Sequence, residues 1–245
     1  MNLKQTAIMA AAAIAALASC SKADETAGAV SFALEQQTAV ADVVTRSYVS
    51  DYTTLPSASD FTITLKSASS TVYSGPLSGY DSATKLDAGN YSVDASYGTE
   101  GDEGFDKPYF TGSKSFAVQG GETTTVSIPV SLANSIIRVT TTSAFSNYFN
   151  DWTFTVTTGS GNSISFPKGE TRAAFVDAYR FTVAGTMTSQ SGTVSTFSKE
   201  YSSGIEAATC YTIGFDVSKV GGISVTITFN DTVETVDLGT VELND

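Results

Sequence analysis

The chain is predicted to be all-β, built as two tandem β-sandwich domains that repeat one unit. Three observations carry this. Apolar and polar residues alternate through most of the chain after residue 30, which is the period of a half-buried strand. Turn signals separate the alternating stretches at Gly120-Gly121, Gly159-Ser160-Gly161, Gly221-Gly222 and Asn230-Asp231. The stretches also recur in the same order: "FTITL" at Phe61 resembles "WTFTV" at Trp152, and "YSVDA" at Tyr91 resembles "FTVAG" at Phe181. "KSFAVQGGETTTVSI" from Lys114 resembles "KEYSSGIEAATCYTI" from Lys199, so the spacings are 91, 90 and 85 residues.

The elements follow in order. "VSFAL" places Val30, Phe32 and Leu34 on one face. "FTITLK" does the same with Phe61, Ile63 and Leu65, leaving Thr62, Thr64 and Lys66 outward. "YSVDASY" alternates Tyr91, Val93, Ala95 and Tyr97, and "TVSIPVSL" alternates Val126, Ile128, Val130 and Leu132. Pro129 lacks a ladder donor, so its strand is expected at an edge or with a bulge. "WTFTV", "YRFTVAG", "CYTIGFDV" and "ISVTITF" complete the second copy. No long 3.6-residue period appears after residue 30. Serine, threonine and glycine are abundant, and 14 Phe and 11 Tyr can fill two cores. The join is expected near Ala133-Asn134-Ser135, giving domains over 29–134 and 135–245. Strand 136–142 fits either copy.

The first nineteen residues read as an export signal. Lys4 is followed by an unbroken apolar run of twelve, Ala7 to Ala18, too short for a membrane span of about 20 residues. Leu17-Ala18-Ser19-Cys20 resembles the bacterial lipobox, in which the cysteine is acylated before cleavage. Residues 1–19 are thus expected to be a lipoprotein signal peptide and 20–28 a tether. Acyl chains contribute about 0.8 kcal/mol per buried CH₂, enough for a stable anchor when several are attached. Ser21 rather than Asp after the cysteine points to the outer membrane. Lys22, Asp24 and Glu25 resemble the export signal of Bacteroides-type surface lipoproteins, so surface exposure is expected. With Cys20 acylated, Cys210 has no disulfide partner and is expected as a buried thiol.

Composition excludes several classes. The formal charge is −12, so there is no basic footprint for nucleic acid. There is no histidine, which removes Ser-His-Asp triads, Cys-His pairs and His-ligated metals. Ser82–Lys85 and Ser165–Lys168 match S-x-x-K, but that motif needs a helix start, and both lie in β context. No cofactor is expected and the chain reads as non-enzymatic. The acidic loop "TEGDEGFDKP" holds Glu100, Asp102, Glu103 and Asp106, a weak Ca²⁺ candidate because such a site needs about 6–8 oxygen ligands. A solvated acidic loop is the favoured reading. Tyr109 and Phe110, after Pro108, are the candidate ligand-contact aromatics. Asp81-Ser82-Ala83 and Asp231-Thr232-Val233 resemble the O-glycosylation sequon of Bacteroides-type exported proteins.

The combination of "KPYFTG", "SLANSIIRV" and "NYFNDWTFTV" resembles an uncharacterised domain-of-unknown-function family of Bacteroides-type lipoproteins, over nearly the whole exported chain. "LDAGNYSV" is shared with many transthyretin-like sandwiches, so Ig- or transthyretin-like domains are expected. More distantly, lipobox, tandem sandwich and repeat resemble fimbrillins, which build surface pili. That resemblance implies proteolysis after the first strand, here at Arg46-Ser47 in "VVTRSYV", and a groove that accepts another subunit's strand. The expected function is a non-enzymatic, fimbrillin-like structural or adhesive lipoprotein whose partners are the outer membrane and other surface subunits. The exchangeable strand would be "VSFALEQ" or the C-terminal "VETVDLGTVEL". The alternative is a monomeric glycan- or protein-binding surface lipoprotein.

Overall fold

Alternation becomes strand throughout the structure, a computed structural model that describes residues 26–42, 47–219, 223–229 and 232–237. The expected signal peptide, Cys20, Arg46 and the turns at Gly221-Gly222 and Asn230-Asp231 lie outside the described residues.

The first half contributes β1 (Ala27–Gln37), β2 (Ala39–Val40), β3 (Ser47–Tyr48), β4 (Thr62–Ser67), β5 (Thr71–Pro76), β6 (Lys85–Asp87), β7 (Gly89–Tyr97), β8 (Gly104–Phe105), β9 (Phe110–Val118) and β10 (Thr123–Leu132). Seven of these form one sheet in the order β5-β4-β7-β9-β10-β1-β6. The sheet folds into two layers at the β9–β10 junction, where only Ser131↔Thr111 and Leu132↔Phe110 pair. Ala133 N–H donates to the Tyr109 carbonyl, so the next hydrogen-bonded rungs fall at Ser131 and then at Pro129. Proline has no N–H to give, and the ladder stops there. A Cβ on Gly112 would lie 1.9 Å from the Pro129 carbonyl oxygen, so only glycine fits the corner. Pro129, expected at an edge or with a bulge, therefore lies in an interior strand, where its missing donor faces the side that β9 has left.

The two layers enclose Phe61, Ile63, Leu65 and Val93 from one side and Val30, Val126, Ile128 and Val130 from the other, all buried. Phe32 of β1 meets Phe116 of β9 edge-on at 5.9 Å across the sandwich.

The second half contributes β11 (Asn134–Thr141), α1 (Ser143–Tyr148), β12 (Phe149–Thr158), β13 (Ser163–Pro167), β14 (Ala174–Asp177), β15 (Phe181–Ser189), β16 (Val194–Tyr201), β17 (Cys210–Lys219), β18 (Ile223–Phe229) and β19 (Thr232–Asp237). Its sheets run β13-β12-β15-β16 and β19-β18-β17-β11-β14-β8. Phe154 and Phe215 stack between them at 3.8 Å and 5°. Alternation does not announce α1; Thr142 starts it by accepting the Phe145 N–H on its hydroxyl.

The repeat is a repeat of topology. The layer β5-β4-β7-β9 corresponds to β13-β12-β15-β16, and β10-β1-β6 corresponds to β17-β11-β14. In each half the first strand runs parallel to a late one: β1 with β10, and β11 with β17. The strand that sequence left open between the copies is β11, in the second half's larger sheet.

The halves are closely joined. Ala133 alone separates β10 from β11. Ile136, Phe175 and Cys210 of the second half are buried in the same apolar cluster as Val30, Val40 and Leu132. β8 leaves the first half to pair with β14.

Candidate functional site

β1 is held mainly from one side. It pairs in parallel with β10 over nine rungs, Ala29↔Thr123 to Gln37↔Ser131. Its other edge meets β6 only from Ala27 to Ala29. Ala29 N–H donates to the Glu122 carbonyl, so odd-numbered residues of β1 turn their backbone toward β10. Val30, Phe32 and Leu34 turn theirs toward the edge that β6 leaves uncovered. Their side chains nevertheless face the core: Val30 is fully buried, and Phe32 and Leu34 pack partly buried against the cluster. Gly28 lets the strand pass beneath the 119–122 turn, since a Cβ there would lie 2.3 Å from the Gln119 carbonyl oxygen. The strand thus carries core side chains while, among the described residues, no strand covers its second edge beyond Ala29.

After β1 the chain makes the small β2–β3 pair. Ala41 donates to the Ala208 carbonyl and accepts from Cys210 N–H, tying this segment to the second half. Ser47 is 7% exposed and its hydroxyl donates to Asp42 Oδ2 at 2.9 Å. Tyr52 OH donates to the same oxygen at 3.4 Å. Burial, then hydrogen bonding with Cys210, pushes the Tyr52 phenol up from its ordinary value. Burial likewise pushes the Cys210 thiol up. Cys210 is a buried free thiol, and the upward shift favours its protonated form.

The structure places two groups of expected site residues, and it corrects the first. Phe110 has no exposed surface. Its ring lies 6.3 Å from Phe61 and 6.4 Å from Tyr97, because β9 begins at Phe110 and turns it inward. It is a core residue, and half-buried Tyr109 has no aromatic partner among the described residues. In the acidic loop Glu100, Asp102 and Asp106 are exposed, as the solvated-loop reading expects, and only Glu103 is half-buried. Asp102 pairs with Lys107 at 2.8 Å, and Asp106 faces Arg172 at 3.7 Å. Among the described residues no three His, Cys, Asp or Glu gather as metal ligands.

Glu103, in the same loop, reaches into the second half. Its Oε2 accepts from Thr158 Oγ1 at 2.6 Å, Ser160 Oγ at 2.5 Å and Asn162 Nδ2 at 2.8 Å. Its Oε1 accepts from Asp177 N–H at 2.9 Å. Burial pushes the Glu103 carboxyl up, but the hydrogen bonds from Ser160, Thr158, Asp177 and Asn162 together outweigh it and hold the group below its ordinary value. Beside it Phe105 packs edge-on against Phe166 at 5.1 Å, with the Arg172 guanidinium over the Phe105 ring, 4.3 Å from its centroid. Residues 99–108 are thus an arm clasping the two halves. Sequence missed this because all of Glu103's partners lie more than fifty residues away.

The S-x-x-K pairs have no helix. Ser82 is in a turn and Lys85 opens β6, whereas Ser165 is in β13 and Lys168 follows it. Asp81 accepts the Ala83 N–H on Oδ1 at 2.9 Å in an exposed Asx turn. Among the described residues no helix is long and apolar enough to cross a membrane.

The sequence profile of a domain of unknown function, DUF4493, matches residues 26–243. No curated protein matches the chain. Several solved structures are similar. One is a Bacteroides thetaiotaomicron DUF1812 protein described as a candidate polysaccharide binder, at 11% identity, covering 87% of this chain and 99% of that one, TM-score 0.44. Another is a candidate cell adhesion protein from Bacteroides eggerthii, at 10% identity, covering 87% and 96%, TM-score 0.42. A third is the fimbrial anchor protein Mfa2 from Porphyromonas gingivalis, at 10% identity, covering 84% and 98%, TM-score 0.38.

Proposed function

The chain belongs to the DUF4493 family, and we propose that it is a non-enzymatic surface lipoprotein, fimbrillin-like, that joins other subunits by exchanging its first strand. Acylated Cys20 tethers the precursor to the outer membrane until cleavage after Arg46 separates the subunit from its anchor. The observation that carries the reading is the hold on β1: nine parallel rungs to one neighbour, core side chains beneath, and a second edge that among the described residues pairs only from Ala27 to Ala29. A strand so placed can leave and be replaced by another chain's strand in the same register. Fully burying an apolar side chain contributes about 1.5–3 kcal/mol. Val30 with half-buried Phe32 and Leu34 therefore supplies about 4 kcal/mol, close to the lower range of a domain's whole stability, about 5–15 kcal/mol. Losing β1 without replacement would leave the first half near unfolding, which drives capture of a new strand.

Maturation at Arg46-Ser47 would free the segment ahead of β3. Ser47 is buried and bonded to Asp42, so β2–β3 must open before a protease can engage. The alternative, a monomeric binding lipoprotein using Tyr109 and Phe110, is weakened by the burial of Phe110.

The test is a chain beginning at Ser47, refolded with and without a synthetic peptide of residues 26–42. The reading expects oligomers or an unfolded first half without peptide, and a stable monomer with it. A monomer equally stable in both cases would refute strand exchange at β1.

A further inference from the structure

A second strand-shaped vacancy lies along β11, in the other half of the molecule. β14 pairs with β11 only from Asn134 to Ile137, whereas β17 accompanies it to Thr141. Ile136 donates to Thr209 and Thr142 donates to Phe215, so even-numbered residues of β11 turn their backbone toward β17. Val139 and Thr141 turn N–H and C=O the other way, past the end of β14. Among the described residues no strand meets them there.

A cavity of about 600 Å³ runs along this edge. Trp152, Phe154 and Phe166 give it an apolar lining, and Arg138 and Lys168 give it charge. Glu170, also at the groove, is neutralised by Arg172, which donates from Nε at 3.1 Å and Nη2 at 2.8 Å. Lys168 Nζ sits 5.1 Å above the Trp152 ring. Arg138 Nε is buried and has no acceptor. In a chain of net charge −12, Arg138 and Lys168 line this groove without an ion pair to any of the described residues, and Lys168 Nζ donates to the Asn150 carbonyl at 2.7 Å.

We propose that the groove takes an extended acidic segment of a partner polypeptide, added as a strand beside β11. The backbone groups of Val139 and Thr141 repeat every second residue, the spacing of a peptide ladder and not of a sugar chain. Val139 shares one face of β11 with Ile137, buried in the second half's core, and Arg138 shares the opposite face with Ile136, buried against the first half. A strand laid alongside would direct alternate residues to those two faces. It therefore needs an apolar residue toward Trp152 and Phe166 and carboxylates toward Arg138 and Lys168. Four residues of edge span roughly 13 Å. The groove is distant in sequence and sheet position from β1, and its occupation does not require β1 to leave.

Trp152 is the only tryptophan, so its emission reports on the groove in the full chain. The probe is acetyl-Glu-Val-Glu-Phe-Glu-Val-Glu-amide, compared with the same peptide carrying lysine in place of glutamate. The acidic peptide is expected to shift Trp152 emission, slow hydrogen exchange at Val139 and Thr141, and bind at least tenfold tighter than the basic one. Lys168→Glu, at an exposed position, and Thr141→Pro, which removes one edge N–H where proline is tolerated, should each weaken binding tenfold. Equal binding of both peptides, no binding of either, or indifference to both substitutions would overturn the proposal. Protection of Val139 and Thr141 by concentration-dependent self-association alone would overturn it in favour of a second copy of this chain.

Discussion

Replacing Gly28 with alanine should loosen β1 while leaving the rest of the molecule intact. The new Cβ would lie 2.3 Å from the Gln119 carbonyl oxygen and 2.9 Å from that of Glu122. Both are backbone atoms in the turn that β1 passes beneath, so neither a side-chain rotation nor a small adjustment relieves the contact. Overpacking of this kind costs about 1–3 kcal/mol. The alanine also restricts the unfolded chain, which returns about 0.4–1 kcal/mol at most. Taking about 2–3 kcal/mol for contacts with backbone atoms, less that return, leaves about 1–2.6 kcal/mol, and if it falls on β1 alone the opening equilibrium of that strand rises roughly five- to 80-fold. Even-numbered residues of β10 turn their backbone toward β1, so the amides of Val126 and Ile128 report its departure. Native-state hydrogen exchange should show their protection fall by that factor, while Tyr211 and Ile213 in β17, which bond to β11, keep theirs. Unchanged protection at Val126 and Ile128 would refute the one-sided hold on β1. An equal fall at Ile213 would show that β1 does not open independently.

Three further outcomes follow from single side chains. Glu103→Gln sets an amide NH₂ against donors on one side of the group, and should lower stability to urea by about 1–3 kcal/mol. Because the Glu103 pKa is depressed by folding, its contribution is full above the unfolded value and fades as pH falls through the folded one. Asp177 runs the other way: burial, then the charges of Glu103 and Glu100, raise it, so its protonation on acidification relieves a cost. The wild-type protein should thus lose its advantage over the Gln variant only in acid, below the ordinary carboxylate range; a gap that persists there would contradict the clasp. Gly112→Ala places a Cβ against the Pro129 carbonyl and should cost about 3 kcal/mol in thermal or chemical unfolding, whereas a change under about 1 kcal/mol would mean that the β9–β10 corner is open. Phe110→Ala should destabilise the fold by about 3–5 kcal/mol, and an exposed contact residue would show almost no loss.

What the sequence discloses and what it hides divide along a physical line. Alternation reports which face of a strand is buried, and that face is set locally, so Phe61, Ile63 and Leu65 and their counterparts from Trp152 to Val156 were legible as one repeated unit. Pairing is not local. Nothing near Pro129 says that its blank side faces the place where β9 departs, and nothing near Gly104-Phe105 says that the arm pairs with Ala174–Phe175. Clustered carboxylates suggest a shared cation when read along the chain, but Glu103, Asp102 and Asp106 each find a different partner. Phe110 follows a proline and looks loop-borne, yet it is the first residue of β9 and its direction is fixed by its partner Tyr97.

The central claim is that β1 is the exchangeable strand of a surface subunit. It is tested most directly by extracting the protein from its native cells, determining its N-terminus by mass spectrometry and its assembly size on a non-denaturing gel. The account predicts a chain beginning at Ser47, found in a ladder of high-mass polymers. A chain beginning at an acylated Cys20, present only as a monomer, would contradict it.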